Sequence, residues 1–172
     1  MTQVCLVGSD DVTLRYELLS RETARNALVT YDLREPFDNT VRVRTVSLGA
    51  AVALLNDLNW YLVRFTDAAF VREPSISETE WLSRDLASAI RDDEIAPHET
   101  GRFLKVYGIV EDAANGDDVD SADGDETATQ DRPPRLVEPM LLTRTGETIP
   151  EYDLRDVEET LVVRVTEAEF GA

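Results

Sequence analysis

Residues 47–65 read SLGAAVALLNDLNWYLVRF, and the reading of this stretch decides the fold class. Ser47 is a good helix N-cap, and Ala50, Ala51, Leu54, Leu55 and Leu58 recur at helical spacing on one apolar face, so a helix is expected through Leu58. Residues 60–65 then run apolar on both sides apart from Arg64, the pattern of a strand buried on two faces near the centre of a sheet. A helix feeding a central strand is α/β architecture.

Working outward, Ser77 and Glu80 have the spacing of a capping box, followed by Leu82, Leu86 and Ile90 on one helical face, with Asp92 and Pro97 closing the segment. Residues 103–110 read as a strand. Upstream, residues 4–7 form a short apolar run ending at Gly8, which suits a buried strand. Val12, Leu14, Tyr16 and Leu18 alternate at strand period, yet the Leu, Glu, Arg and Ala content through Leu28 favours a helix capped by Asp10 or Asp11. Val29, Tyr31 and Leu33, a turn over residues 36–39 and a second alternating run over residues 41–46 read as a hairpin.

Charge is unevenly placed. The 172 residues carry 35 Asp and Glu against 17 Lys and Arg, a net charge of -18. Nine of those carboxylates lie within residues 111–131, where no basic residue falls, so half of the net charge sits in one segment. Its Asp, Ala, Gly, Ser and Thr offer too little apolar area to offset chain entropy, and residues 111–134 are expected to be a disordered acidic insert. Asp118, Asp120 and Asp123 suggest a calcium loop, but Ala122 takes a ligand position and Gly124 falls out of register. Beyond the insert, residues 136–143, 148–154 and 161–165 read as strands too apolar to stay in solution alone. They are expected to return to the N-terminal sheet. The expectation is therefore one α/β (or α+β) domain, residues 1–110 with 135–172, holding a mixed β-sheet with flanking helices.

An internal echo accompanies this plan. Tyr31, Asp32, Leu33 and Arg34 match Tyr152, Asp153, Leu154 and Arg155, and each run precedes an alternating Val/Arg strand. Duplication and chance similarity both fit the echo, and chance is favoured.

Composition excludes several chemistries. One Cys and one His leave no internal disulfide, no cysteine-based zinc site and no two-histidine metal motif. No apolar run approaches the ~20 residues of a membrane span, and the start lacks a signal-peptide pattern, so a cytoplasmic protein is expected. The basic residues are 16 Arg and a single Lys, Lys105. Together with the acidic excess, that ratio fits a cytoplasm of high salt, where the screening length falls from about 8 Å to about 3 Å at molar ionic strength. A GC-rich genome, which replaces Lys by Arg, accounts for part of the same ratio.

Among candidate sites, Cys5 reads as a small buried thiol and His98 as a solvated residue, with a Cys5–His98 dyad the sharper alternative. No GxSxG, Walker or GxGxxG motif occurs. The sharper constellation is Asp10, Asp11, Asp67 and Lys105, with Ser83. Acidic groups at the carboxyl ends of strands can hold Mg2+ while a lysine contacts a phosphoryl oxygen, an arrangement that resembles response-regulator receiver domains. The plainer reading makes Asp10 or Asp11 an N-cap and Asp67 a turn residue. Net charge disfavours nucleic acid. Arg42, Arg44, Arg64 and Arg72 read either as a local basic patch or, preferentially, as solvated strand faces paired with carboxylates. Trp60 and Trp81 read as core anchors.

The stretches CLVGSDDV, RYELLSRETAR, SLGAAVALLNDLNWYLVRF, SETEWLSR and YDLRDVEETLVVRVTEAEF resemble a family of small haloarchaeal proteins known only as a domain of unknown function. The resemblance implies a halophilic archaeal cytoplasm and carries no activity, cofactor or site. The expected function is a non-enzymatic protein-binding or regulatory module without a cofactor. A Mg2+-dependent phosphoryl-receiver-like domain or small carboxylate-site enzyme at Asp10, Asp11, Asp67 and Lys105 is the alternative.

Overall fold

Val4 and Leu6 of β1 (Thr2–Gly8) face one side of the sheet, Cys5 and Val7 face the other, and both sides are packed. Such a strand belongs in the interior of a sheet. β1 pairs antiparallel with β2 (Thr40–Thr45) on one side and with β3 (Thr66–Arg72) on the other. The computed structural model describes residues 1–110, 134–143 and 159–171. Within them a seven-stranded mixed sheet runs in the order β2-β1-β3-β4-β7-β5-β6, completed by β4 (Trp81–Ser83), β5 (Phe103–Val110), β6 (Arg135–Thr143) and β7 (Glu159–Arg164). Only β4 and β7 pair in parallel. The protein is a mixed α/β single domain. The returning tail supplies β7, which lies between β4 and β5 and so joins both flanks of the chain in one sheet.

Helices α1 (Leu14–Leu19), α2 (Glu22–Leu28), α3 (Leu48–Asp57), α4 (Asn59–Phe65) and α5 (Arg84–Arg91) cover one face. Leu14, Leu18, Leu28, Leu55, Leu62 and Leu86 pack there against Val4, Val43, Val71 and Leu82 of the strands. At ~1.5–3 kcal/mol for each large aliphatic side chain removed from water, this interface is the main stabilising layer. A 3-10 turn (Pro97–Glu99) and a short terminal helix, α6 (Glu167–Gly171), complete the chain.

The opposite face carries no residue of α1–α5, yet Cys5, Phe70, Trp81, Tyr107, Leu161, Val163 and Val165 are buried on it. The sheet buries them by curling. Phe70 and Tyr107 lie on β3 and β5, three strand spacings apart, which is ~14 Å in a flat sheet. Their ring centroids are 5.4 Å apart. The two edge strands also meet, because the Asp38 amide before β2 donates to the Pro134 carbonyl before β6 at 2.7 Å. Leu136 of β6 and Phe37 beside β2 both pack on this interior. On the edge strand β6 an extra residue opposite residues 106–108 accommodates Pro139, which has no amide to give to a ladder.

Several local expectations need correction. Residues 60–65 form helix α4, not a central strand, and the central strand β3 begins only at Thr66. Leu58, Tyr61, Leu62 and Phe65 face the core while Trp60, Val63 and Arg64 face solvent, so the true period is helical. The helix expected from Ser77 starts at Arg84. Ser83 caps it, accepting from the Leu86 amide at 3.2 Å, whereas Ser77 accepts from the Glu80 amide within a turn and Leu82 lies in β4. Residues 12–28 form two short helices broken near Ser20 rather than one.

Neither Asp10 nor Asp11 caps α1. Asn39, 25 residues later, accepts from the Leu14 amide at 2.8 Å and donates to the Ser9 and Val12 carbonyls. Asn39 has φ 58°, a conformation Asn tolerates better than most residues. Gly8 lies so close to it that a Cβ there would stand 2.7 Å from Asn39 Nδ2. The expected hairpin reduces to one antiparallel bridge between Arg34 and Arg42, and β2 pairs with β1 instead. The acidic segment over residues 111–133, the expected strand over residues 148–154 and the second half of the echo lie outside the described residues.

Candidate functional site

Polar chemistry gathers where the curled face opens. At one end the pairing of β1 with β3 slips between Val7 and Gly8, so that Asp67 is an extra residue on β3. A bulge of this kind re-aims a side chain, and Asp67 reaches a cleft of ≈ 140 Å³ that is also lined by Ser83, Lys105, Tyr107 and Glu169. Ser9 Oγ donates to Asp67 Oδ1 at 3.1 Å. Ser83 Oγ donates to Glu169 Oε1 at 2.6 Å while capping α5. Glu169 is itself held by a reciprocal pair with Thr166, whose amide donates to Oε1 at 2.9 Å and whose hydroxyl accepts from the Glu169 amide at 3.1 Å. Burial first, then the nearby Asp67, Cys5 and Glu169, push the Tyr107 hydroxyl up to about 12, so it stays a neutral donor. Among the described residues Lys105 has no hydrogen-bond or ion-pair partner.

Asp67, Ser83 and Lys105 thus line one cleft. Asp10 and Asp11 are not among its lining residues: both sit in the exposed turn after β1, where Asp10 borders a separate groove beside Arg15, Glu35 and Asn39. Among the described residues no group of three or more His, Cys, Asp or Glu side chains is arranged to hold a metal ion. Tyr107 and Glu169 were not singled out from the sequence; the T-x-x-E spacing of Thr166 and Glu169 is the one signal that pointed to the second.

Towards β2 the same face turns basic. Arg42 and Arg44 pair with Cys5 and Gln3 of β1, and Arg72 of β3 pairs with Gln3 from the other side. Alternation therefore puts all three guanidiniums on the helix-free face. Arg72 donates to Gln3 Oε1 at 3.0 Å and lies 4.9 Å from the Trp81 ring centroid. Cys5 is fully buried between them, and burial pushes its thiol up to about 12 although Arg42 and Arg72 pull the other way. It is an inert core thiol. His98 is exposed on the 3-10 turn. The patch expected from Arg42, Arg44, Arg64 and Arg72 forms without Arg64, and among the described residues none of Arg42, Arg44 and Arg72 has a carboxylate within 4 Å.

Arg64 sits instead on α4. Its guanidinium stacks 3.9 Å from the Trp60 ring centroid, and Arg21 approaches the same ring at 5.7 Å and Phe65 at 5.0 Å. Trp60 is 47% exposed, against 6% for Trp81, so only Trp81 is the core anchor expected of both. Val63, one helical turn from Trp60, and Tyr16 on α1, which packs beside α4, are also exposed. No helix of the described residues is long and apolar enough to cross a membrane.

The family model for a family of unknown function, DUF5804, matches residues 2–109. No curated protein matches the chain, and neither does any solved structure. The matched span covers β1 to β5 with Trp60, Asp67, Lys105 and the Arg42–Arg44–Arg72 face, and leaves out β6, β7 and Glu169. The chain belongs to this family.

Proposed function

We propose that this member of a family of unknown function is a non-enzymatic binding module that docks a protein partner on the α1–α4 surface. The observation that carries the reading is the half-exposed Trp60, with the Arg64 guanidinium stacked on its ring and the Arg21 guanidinium near it. Trp and Arg are the residue types that dominate binding energy at interfaces. Covering the rest of the ring returns about 2–3 kcal/mol at ~25 cal/mol per Å². Arg21 is already paired with Glu17 at 3.2 Å, but Arg64 has no carboxylate within 4 Å among the described residues, which on an otherwise strongly acidic chain favours a partner that brings a carboxylate beside an apolar anchor.

A photo-crosslinking residue at Val63 tests this in a lysate held at high KCl. One species is expected to be captured, capture is expected to disappear with Trp60→Ala, and a crosslinker at the exposed Val46, in the link between β2 and α3, is expected to capture nothing. Equal capture from both positions, or capture indifferent to Trp60→Ala, contradicts the reading. The high salt belongs to the proposal: the -18 charge with 16 Arg and one Lys supports a halophilic, cytoplasmic setting. Equal thermal stability in dilute buffer and molar KCl would refute that part.

A second reading, a Mg2+-dependent phosphoryl receiver or small carboxylate-site enzyme, is favoured by one observation, the shared cleft of Asp67, Ser83 and Lys105. It requires that Mg2+ with a phosphate mimic raise the melting temperature and that Asp67→Asn abolish the rise. No rise in the unsubstituted protein would end it.

A further inference from the structure

We propose that the groove between β2 and residues 30–34 binds a small phosphomonoester. The groove measures ≈ 350 Å³ and is lined by Thr30, Tyr31, Asp32, Arg34, Arg42 and Arg44. This volume suits one small molecule rather than a polymer. Two independent features of the backbone assemble its cations. Arg42 and Arg44 are two residues apart on β2, which places them on the same face at a spacing of ~7 Å. Arg34 is bridged to Arg42 in both directions, Arg34 amide to Arg42 carbonyl at 3.0 Å and Arg42 amide to Arg34 carbonyl at 2.7 Å, so the third guanidinium starts from the neighbouring backbone.

The charge balance of the groove is unlike that of the rest of the protein. The chain has about two carboxylates for every cation, but this lining has three arginines and one aspartate. The aspartate is already engaged: Arg34 Nε and Arg34 Nη2 both lie 2.8 Å from Asp32 Oδ2. Arg42 and Arg44 are left with no carboxylate within 4 Å and no side-chain hydrogen bond among the described residues. Placed side by side, with Arg72 behind them, they repel one another, and an anion between them removes that repulsion. The net lining charge is +2, which matches a dianion.

The chemistry of the donors selects among dianions. A carboxylate centre carries one charge on two oxygens, whereas a phosphomonoester carries two charges on three oxygens of one centre and so neutralises two neighbouring guanidinium forks at once. The remaining volume lies against Tyr31, whose ring is fixed by packing on the helix-side core, and Thr30, so an organic portion fits beside the phosphoryl group. This site is on a different face from the Trp60 surface and stands whether or not that surface docks a protein.

Calorimetry and thermal shift on the full chain test the assignment, with EDTA present and chloride held constant, using ribose 5-phosphate, inorganic phosphate, ribose and malate as probes. Saturable binding of ribose 5-phosphate is expected, with a raised melting temperature, no effect of ribose and a weaker effect of malate. Arg42→Gln and Arg44→Gln are each expected to weaken binding by about tenfold or more. Arg91→Gln, which removes one cation on α5, is expected to leave it unchanged. Because Arg44 is exposed, its variant keeps the fold testable, and the arginine Nε–H resonances of Arg42 and Arg44 are expected to shift on titration in the unsubstituted protein. Absence of saturable binding, equal binding by Arg44→Gln, an equal loss with Arg91→Gln, or malate binding as well as the phosphate ester overturns the proposal.

Discussion

On the helix-covered side of the sheet the buried side chains are mainly aliphatic, with Leu14, Leu18, Leu55, Leu58 and Leu86 closed over Val4 and Val71. Inside the curl they are Phe70, Trp81 and Tyr107, clustered with Cys5, Leu161, Val163 and Val165. The first side is sealed by five helices, and its burial is independent of what the sheet does. The second is sealed by the sheet's own curvature, which ends where the strands end. Charged groups can therefore reach the second side at its margins, and Asp67, Lys105, Arg42 and Arg44 lie there. The difference teaches that burial on the second face depends on the curl, and that its open margins are where charged side chains gather.

The sharpest way to break that comparison is to truncate one residue on each side. Phe70→Ala is expected to cost about 3–5 kcal/mol and Leu55→Ala about 2–5 kcal/mol in denaturant unfolding, since both side chains are essentially fully buried. A cost below about 1 kcal/mol for Phe70→Ala would mean that the curl is not a core. Next in size is Asn39→Ala, which removes three hydrogen bonds that tie the β1–α1 turn to the start of β2 and is expected to cost about 2–3 kcal/mol. Loss of less than about 0.5 kcal/mol would show that water replaces those bonds freely.

Alkaline pH separates the two sides without mutation. The ordinary values of Cys5 and Tyr107 are 9.0 and 10.0, and in the fold both rise to about 12. Each group is neutral when protonated, so the folded state holds its proton more tightly than the unfolded chain does. The stabilisation is complete below pH 9 and is lost as pH rises from 9 towards 12. Melting curves from pH 8 to 11.5 are expected to fall, and Cys5→Ala is expected to flatten the early part of the fall. A flat profile would remove both groups from the interior. The smallest effect is expected from Trp60→Ala, about 1–2 kcal/mol for stability, because half of the ring is already in water and the other half packs against Tyr61 and Phe65.

Much of the helix-covered side was legible in the sequence. Ser47 caps α3 as its spacing implies, with the Ala50 amide donating to its hydroxyl at 3.1 Å, and β5 and the return of the tail follow from apolar runs bounded by polar segments. Residues 60–65 were misread because a six-residue apolar run fits both periods, and only the core contacts of Tyr61 and Leu62 decide it. Asn39 escaped notice because its partners are remote in sequence. The candidate cleft was half legible: Asp67, Ser83 and Lys105 were picked out by residue type, while Tyr107 and Glu169 join them only through the curl, which no local pattern encodes. The arginine face was legible as alternation in β2, but that no carboxylate of the described residues lies within 4 Å of Arg42 or Arg44 depends on which strands become neighbours.

The closing of the sheet on its helix-free face is what brings Tyr107 and Glu169 to the Asp67 cleft, and it can be observed directly. Proton nuclear Overhauser contacts between the ring protons of Phe70 and Tyr107, measured on protein with both rings selectively labelled, are predicted to be strong. Their absence, with the helix-side contacts between α3 and α5 intact, would mean an open sheet and would contradict the account.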